Sequence, residues 1–216
     1  MTLLEPSRDP LGVVALGIVA IVPAAGASRR MGRPKLTLPW REGSVLDATL
    51  AALLAGGAER AVVVVGPGGV LAGWRPPAGV TLARNSTPEL GMLSSVRAGL
   101  AALAEAGSPP RLLLVCPGDL PALRAETVRE LLRVQRRHGG IVVPVHGDRR
   151  GHPLLVPERW LPAIGELDEA VGLRQLLRLA AGELLQHPVD DPGTVMDVDT
   201  PEAYESLRDR DAGRAD

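Results

Sequence analysis

Two parts of the chain carry residue types suited to chemistry on phosphates. The first is the stretch Val22-Pro23-Ala24-Ala25-Gly26-Ala27-Ser28-Arg29-Arg30-Met31-Gly32-Arg33-Pro34-Lys35, where small residues stand beside cations. A run without bulky side chains lets backbone N–H groups come close to an anion. Arg30 and Lys35 then add fixed positive charge for phosphate oxygens. A Gly/Arg surface loop with no ligand has the same composition, so the loop alone leaves both readings open. It is neither Gly-x-Gly-x-x-Gly nor Gly-x-x-x-x-Gly-Lys-Ser/Thr, which argues against a Rossmann dehydrogenase and a P-loop NTPase. The second part is a set of carboxylates. Asp119 lies in Cys116-Pro117-Gly118-Asp119-Leu120-Pro121. An Asp there is either a turn former or a hard oxygen ligand for Mg²⁺. Asp197 and Asp199 open Asp197-Val198-Asp199-Thr200-Pro201-Glu202. On a strand, alternation places both on one side, while Thr200 or Asp199 is equally suited to cap a following helix.

Two further segments are polar at helix or strand ends. Asn85-Ser86-Thr87-Pro88-Glu89-Leu90-Gly91-Met92-Leu93-Ser94-Ser95 puts two hydroxyls near a helix start, where they either cap the helix or hydrogen-bond a base or ribose. Pro144-Val145-His146-Gly147-Asp148-Arg149-Arg150-Gly151-His152-Pro153 offers Arg149, Arg150 and His152 to a phosphorylated acceptor, or else a loop histidine with a satisfied ring. His138, His146 and His187 read as surface or loop residues.

The elements that must position these groups alternate. Aliphatic runs predict strands at Leu16–Val22, Arg60–Val65, Val80–Ala83, Arg111–Cys116 and Ile141–Val145, with further strands at His152–Val156 and Thr194–Val198. Helices are expected over Ser44–Ala55, Gly91–Ala106, Leu123–Arg137, Val171–Ala181 and Pro201–Leu207. Ser44 suits an N-cap, and Pro201 suits the first helical position. Repeated β–α units imply a Rossmann-like three-layer α/β/α sandwich with a mostly parallel sheet. Ligands of such sheets bind beyond the carboxyl ends of the strands, and each motif falls at such an end. The expected layout is a tail over 1–15, one domain over 16–208 and a tail over 209–216.

Bulk properties narrow the function classes. The 216 residues suit one α/β domain. With 24 basic and 25 acidic residues, no basic block marks a nucleic-acid footprint, and one Tyr, three Trp and no Phe supply no base-stacking platform. Cys116 is the only cysteine, which excludes an internal disulfide and fits a reducing cytoplasm. Leu11–Val22 is apolar but too short to span a bilayer, and it reads as a buried strand rather than a signal peptide.

The first loop resembles the signature Leu-Ala-Ala-Gly-x-Ser-x-Arg-Met-Gly-x-x-Lys of MobA-like NTP transferases, through Ala24, Ala25, Gly26, Ser28, Arg30, Met31, Gly32 and Lys35. Pro23 stands where the signature has Leu and removes one backbone donor. The resemblance extends to Asn85 with Gly91-Met92-x-Ser94-Ser95, to Gly118-Asp119-x-Pro121, and to Asp197-x-Asp199-Thr200-Pro201-Glu202. It spans about residues 16–208 and is nearest to the molybdenum cofactor cytidylyltransferase branch. That branch's Gly-x-x-Gly-His-Pro element is similar to the stretch Pro144–Pro153, and its Gly-x-Arg helix start to Gly172-Leu173-Arg174. Here Asp168-Glu169-Ala170-Val171 replaces the branch's usual Gly-Asp, a departure on the acceptor side.

The resemblance implies a fold of the nucleotide-diphospho-sugar transferase type and assigns roles. Ala24, Ala25, Gly26, Ser28, Arg30 and Lys35 would wrap the triphosphate, with Arg30 and Lys35 as its cations. Asn85, Ser94 and Ser95 would lie beside the nucleoside, Ser94 ahead of Ser95. Asp119 would bind Mg²⁺ with Asp199, or second Asp197. Arg150, His152 and Arg174 would meet the acceptor. The implied reaction joins an NTP to a phosphorylated pterin and releases pyrophosphate, and Ala24-Ala25-Gly26 favours CTP over GTP. A molybdoenzyme or its chaperone would receive the product. The rivals are a transferase for another phosphorylated small molecule, such as a sugar or lactate phosphate, and a non-catalytic cofactor carrier. Labelled CTP with varied acceptors separates the first. The second should bind pterin without metal-dependent NTP binding.

Overall fold

The computed structural model describes residues 16–26, 31–67, 71 and 73–212. The signature residues Ser28 and Arg30 therefore lie outside the described residues. The strands are β1 (Leu16–Pro23), β2 (Pro39–Trp40), β3 (Gly43–Ser44), β4 (Arg60–Val65), β5 (Val80–Arg84), β6 (Pro110–Val115), β7 (Ile141–His146), β8 (Arg149–Arg150), β9 (Leu154–Pro157) and β10 (Leu184–Pro188). The helices are α1 (Val45–Gly56), α2 (Met92–Glu105), α3 (Ala125–His138), α4 (Leu161–Gly165), α5 (Leu173–Leu179) and α6 (Pro201–Ala212). Helix α6 runs beyond the boundary expected at 208.

The main sheet has the order β10-β7-β9-β6-β1-β4-β5, with β8 pairing to β7. All neighbours are parallel except β9, which runs against both β6 and β7, and the hairpin partner β8. β1 sits between β6 and β4, and Val19 to Val22 are fully buried. That position requires a strand apolar on both faces, which explains its unbroken aliphatic run. Alternation sends Ala20 and Val22 to one core and Val19 and Ile21 to the other. Leu50 of α1, Leu131 of α3 and Tyr204 of α6 pack on the first core. Val96 of α2, Ile164 of α4 and Leu176 of α5 pack on the second. The result is the expected three-layer sandwich.

Ser44 caps α1 as expected. Its hydroxyl accepts from Asp47 N at 3.2 Å, and Asp47 Oδ2 accepts from Ser44 N at 3.0 Å. Such a reciprocal box contributes about 1 kcal/mol. Helix α2 lies so close to the sheet that a Cβ on Gly99 would stand 2.9 Å from Ile21 Cδ1.

The C-terminal part differs from expectation. No strand forms over Thr194–Val198: residues 192–194 make a 3-10 turn and 195–199 are irregular. Val195 N bonds back to Pro192 O, and Val198 N bonds to Asp119 O, so these amides do not serve a strand ladder. The sheet edge beside β7 is taken instead by β10. Its sequence, Leu-Leu-Gln-His-Pro, lacks the aliphatic run that marks the inner strands.

Candidate active site

The site stands at the carboxyl ends of β1 and β6. Beyond the regular ladder, Cys116 N donates to Ile21 O at 3.1 Å and Gly118 N to Pro23 O at 3.2 Å. The β6 end is thereby carried along β1 until Asp119 stands beside the small-residue turn. Thr49 Oγ1 of α1 pins Gly118 O from below at 3.2 Å, inside the core. Gly118 has no room for a side chain: a Cβ would lie 2.9 Å from Leu46 Cδ1.

Lys35 opens a short 3-10 turn anchored by buried Leu36. Its Nζ donates to Asp119 Oδ2 and, at 2.6 Å, to Asp199 Oδ1. Asp197 joins them, since one carboxylate oxygen from each of Asp119, Asp197 and Asp199 lies within 4.8 Å of the others. The expected neighbours Asp197 and Asp199 do meet, without the strand that was to align them. Val198 between them is fully buried and acts as a plug. Thr200 takes the helix cap, its hydroxyl accepting from Ala203 N at 3.2 Å. That leaves the Asp199 carboxylate for the cluster.

The electrostatics follow from crowding. Burial pulls the Lys35 pKa down, but the charges and hydrogen bonds of Asp119 and Asp199 outweigh it, so the net shift is upward and the ammonium is a fixed charge at neutral pH. Partial desolvation pushes the Asp197 carboxyl up, and the charges of Asp199 and Asp119 add to this. Cys116 is fully buried beside Asp119; desolvation first and that charge second raise its thiol pKa, so it is no nucleophile. Asp119 Oδ1 is buried and has no hydrogen-bond partner among the described residues. A buried carboxylate oxygen in that condition is costly unless a cation or donor meets it. An all-oxygen set of Asp119, Asp199 and Asp197 fits a hard divalent ion such as Mg²⁺.

A cleft of about 220 Å³ runs from the turn Ala24-Ala25-Gly26 past Lys35 and Asp119 to Gly91 and Ser95. Ala24 N is spent on Val64 O at 2.8 Å, which holds the turn to β4. Among the described residues, a Cβ on Gly26 would meet nothing within 4 Å. Across the cleft, Asn85 Nδ2 donates to Ser94 Oγ at 2.8 Å and to Ser95 Oγ at 3.0 Å. Asn85 is buried and fixes the start of α2. Ser94 Oγ also lies 2.8 Å from Gly91 O and 3.1 Å from Thr87 O, bonds internal to the fold. Ser95, the second choice from sequence, is the serine that lines the cleft.

The three acceptor-side candidates separate. His152 comes to the site: its Nδ1 lies 3.2 Å from Val115 O, and its ring feels the charges of Asp119 and Asp197. Burial dominates and lowers its pKa, so the neutral ring donates Nδ1–H to that carbonyl. Arg150 instead gives Nε to Gln186 Oε1 of β10 at 2.9 Å on the exposed edge. Arg174 is exposed in the first turn of α5. Sequence reasoning missed Asp191, which is 1% exposed and holds the loop behind His152. Its carboxylate accepts from Thr127 Oγ1 at 2.7 Å, Arg124 N at 3.0 Å and Gly193 N at 3.0 Å. The run Asp190-Asp191-Pro192-Gly193 reads as an ordinary turn, so only its burial reveals this role.

Comparison with known proteins finds relatives over most of the chain. The molybdenum cofactor cytidylyltransferase of Escherichia coli (strain K12) is 27% identical over 195 residues, covering 89% of this chain and 96% of that one. A probable molybdenum cofactor guanylyltransferase of Mycobacterium tuberculosis (strain ATCC 25618 / H37Rv) is 36% identical over 156 residues, 71% of this chain and 70% of that one. Among solved structures, Rv0371c of Mycobacterium tuberculosis H37Rv superposes with a TM-score of 0.76 at 25% identity, covering 90% of this chain and 99% of that one. The same protein has been solved in complex with manganese, with a TM-score of 0.66. The MobA-like NTP transferase domain matches residues 20–189, and the chain belongs to that family of nucleotidyltransferases.

Proposed function

We propose that this chain is a Mg²⁺-dependent CTP:molybdopterin cytidylyltransferase. The observation that carries the reading is the convergence of Lys35, Asp119 and Asp199 at one end of a cleft whose wall is the signature turn. In this reading Ala25 and Gly26, with Ser28 and Arg30 from the same loop, wrap the triphosphate, and Ser95 meets the nucleoside. Asp119 and Asp199 would hold the divalent ion, with Asp197 beside them. When bound, that ion supplies Lewis-acid polarisation of the α-phosphoryl group. Lys35 supplies preorganised positive charge where negative charge grows as pyrophosphate leaves. An oxygen of the molybdopterin phosphate bonds to the α-phosphorus while the bond from that phosphorus to the bridging oxygen breaks. The electron pair leaves with pyrophosphate, so no protein nucleophile is required, in keeping with the inert Cys116. His152, as a neutral ring, would orient the acceptor from the far side of the carboxylates. The product would pass to a cytoplasmic molybdoenzyme or its chaperone.

Two observations bear on the base. Ala24-Ala25-Gly26 resembles the turn of the cytidylyl branch, and the cytidylyltransferase relative matches along almost its whole length. The guanylyltransferase relative is more identical over a shorter span and favours GTP as the second reading. Pyrophosphate release with each of the four NTPs, Mg²⁺ and molybdopterin tests both. The expected result is faster turnover with CTP and a cytosine dinucleotide product by mass spectrometry. Equal or faster turnover with GTP overturns the base assignment, and no turnover with any NTP overturns the acceptor.

A further inference from the structure

Arg97 makes a set of contacts that the proposed reaction does not use. It stands on α2, one turn beyond Ser94, with its head only partly exposed. Its Nε donates to Ile164 O at 3.0 Å and its Nη2 to Gly165 O at 3.0 Å and to Leu167 O. Its Nη1 donates to Glu169 Oε1 at 2.6 Å. The acceptors at Ile164 and Gly165 are terminal carbonyls of α4, groups that a helix leaves without internal partners and that favour a cation. One guanidinium therefore ties down the end of α4 and the turn that follows. Only the five-donor fork of arginine can do this from one position.

The segment it holds leads directly to the acceptor-side helix. Ala170 N bonds Asp168 Oδ1 at 2.8 Å, and Gly172 N bonds Asp168 O at 2.8 Å. Asp168 N donates to Gln175 Oε1 at 2.6 Å, which ties the turn to the first turn of α5. Gly172, at φ +68°, then reverses the chain into Leu173 and Arg174. The strand directions bound the path of this segment. β9 runs down the sheet against β6, and β10 starts again at the lower edge, parallel to β7. Between them the chain passes through α4 and α5, and Arg97 holds the end of α4 against the flank of α2.

Arg97 thus joins two walls. Its own helix carries Ser94 and Ser95 in its first turn, where Asn85 bonds both beside the cleft. Its guanidinium fixes the turn that carries Gly172 and Arg174. Glu169 lies in the stretch that departs from the molybdenum cofactor branch, and it completes the tether. We propose that Arg97, with Glu169, is a positioning residue that sets the acceptor-side turn, residues 164–174, against the nucleotide-side helix. The inference rests on the functional reading above for which side receives the acceptor.

The test is steady-state kinetics on full-length Arg97→Ala, Arg97→Lys and Glu169→Gln, with molybdopterin and NTP varied separately, alongside hydrogen exchange without substrates. Loss of the tether should raise the molybdopterin KM about tenfold in Arg97→Ala, since misplacement of a binding group costs at least that much. The NTP KM should stay within about twofold, because that binding is untouched. Arg97→Lys and Glu169→Gln should shift the same constant in the same direction by less. Amides of Ala170, Val171 and Gly172 should exchange faster in Arg97→Ala. An unchanged molybdopterin KM in Arg97→Ala, or an NTP KM that rises equally, overturns the proposal. Should wild type transfer no nucleotide, the functional reading falls. The tether is then judged on exchange alone, where unchanged protection over 170–172 overturns it.

Discussion

Val198 N donates a 3.0 Å hydrogen bond to Asp119 O, and this backbone contact joins the two segments that bear the carboxylates. It fixes both main chains whatever the side chains carry. The carboxylates can then crowd together, because Val198 is buried and the preceding and following residues are turned to the same side. Repulsion among the three acids is held within the fold by main-chain bonding and by Lys35.

The first prediction concerns that charge balance. Asp119→Asn keeps the main-chain contact and nearly the same volume but removes a charge. It should abolish metal-dependent turnover while the circular dichroism spectrum stays that of wild type. Mn²⁺ binding followed by electron paramagnetic resonance should weaken in parallel. Wild-type turnover in Asp119→Asn would remove this residue from the reaction.

Lys35→Ala should lower turnover by ~10² with less effect on the NTP KM, as expected for a charge felt mainly in the transition state. The raised pKa of Lys35 also has a stability consequence. Its ion pairs contribute fully below the ordinary lysine value of 10.5 and are lost as pH rises through the higher folded value. Urea midpoints of wild type and Lys35→Met between pH 7 and 11 should therefore converge at the alkaline end. A gap that widens there contradicts the assignment.

A second linkage comes from His152. Its pKa is lowered in the folded protein, chiefly by burial. Below the ordinary imidazole value of 6.5 the unfolded chain takes up a proton that the native ring resists, so stability falls as pH drops from 6.5 toward the folded value. The groups facing the ring, Asp119 and Asp197, oppose this without reversing it. Denaturation from pH 5 to 7.5 should show a flatter pH dependence in His152→Gln than in wild type. Parallel curves would mean that the ring titrates normally.

The sequence was most legible where one requirement dominates. β1 and β4 must be apolar on both faces, and their limits were readable to within one residue. The capping box at Ser44 and the helix start at Pro201 were visible because local chemistry decides them. Legibility failed where distant contacts decide. β10 pairs at an edge and needs no aliphatic run, and the amide of Val198 is claimed by Asp119 O rather than by a strand. The order of Ser94 and Ser95 was likewise hidden. Spacing puts both at a helix start, and only the bond partners of Ser94 reveal that it serves the fold. Asp191 resembled any turn aspartate until its burial was known.

Asp191 supports the last prediction, which concerns stability. Its carboxylate is enclosed and accepts bonds from Thr127 Oγ1, Arg124 N and Gly193 N. The turn it organises is tightly packed: a Cβ on Gly193 would stand 2.2 Å from Ala122 O, and one on Gly151 would stand 2.5 Å from Thr194 O. His152 N in turn bonds Thr194 O at 2.8 Å. Asp191→Ala strands three donors in a region that cannot open to water without moving the His152 loop. The cost should be about 3 kcal/mol, the upper part of the range for a buried acceptor serving several donors. Thr127→Ala removes one donor and leaves the carboxylate satisfied by the others, so about 1 kcal/mol is expected. Urea denaturation of the two variants measures both figures. A loss in Asp191→Ala no larger than in Thr127→Ala would show that this carboxylate does not organise the loop.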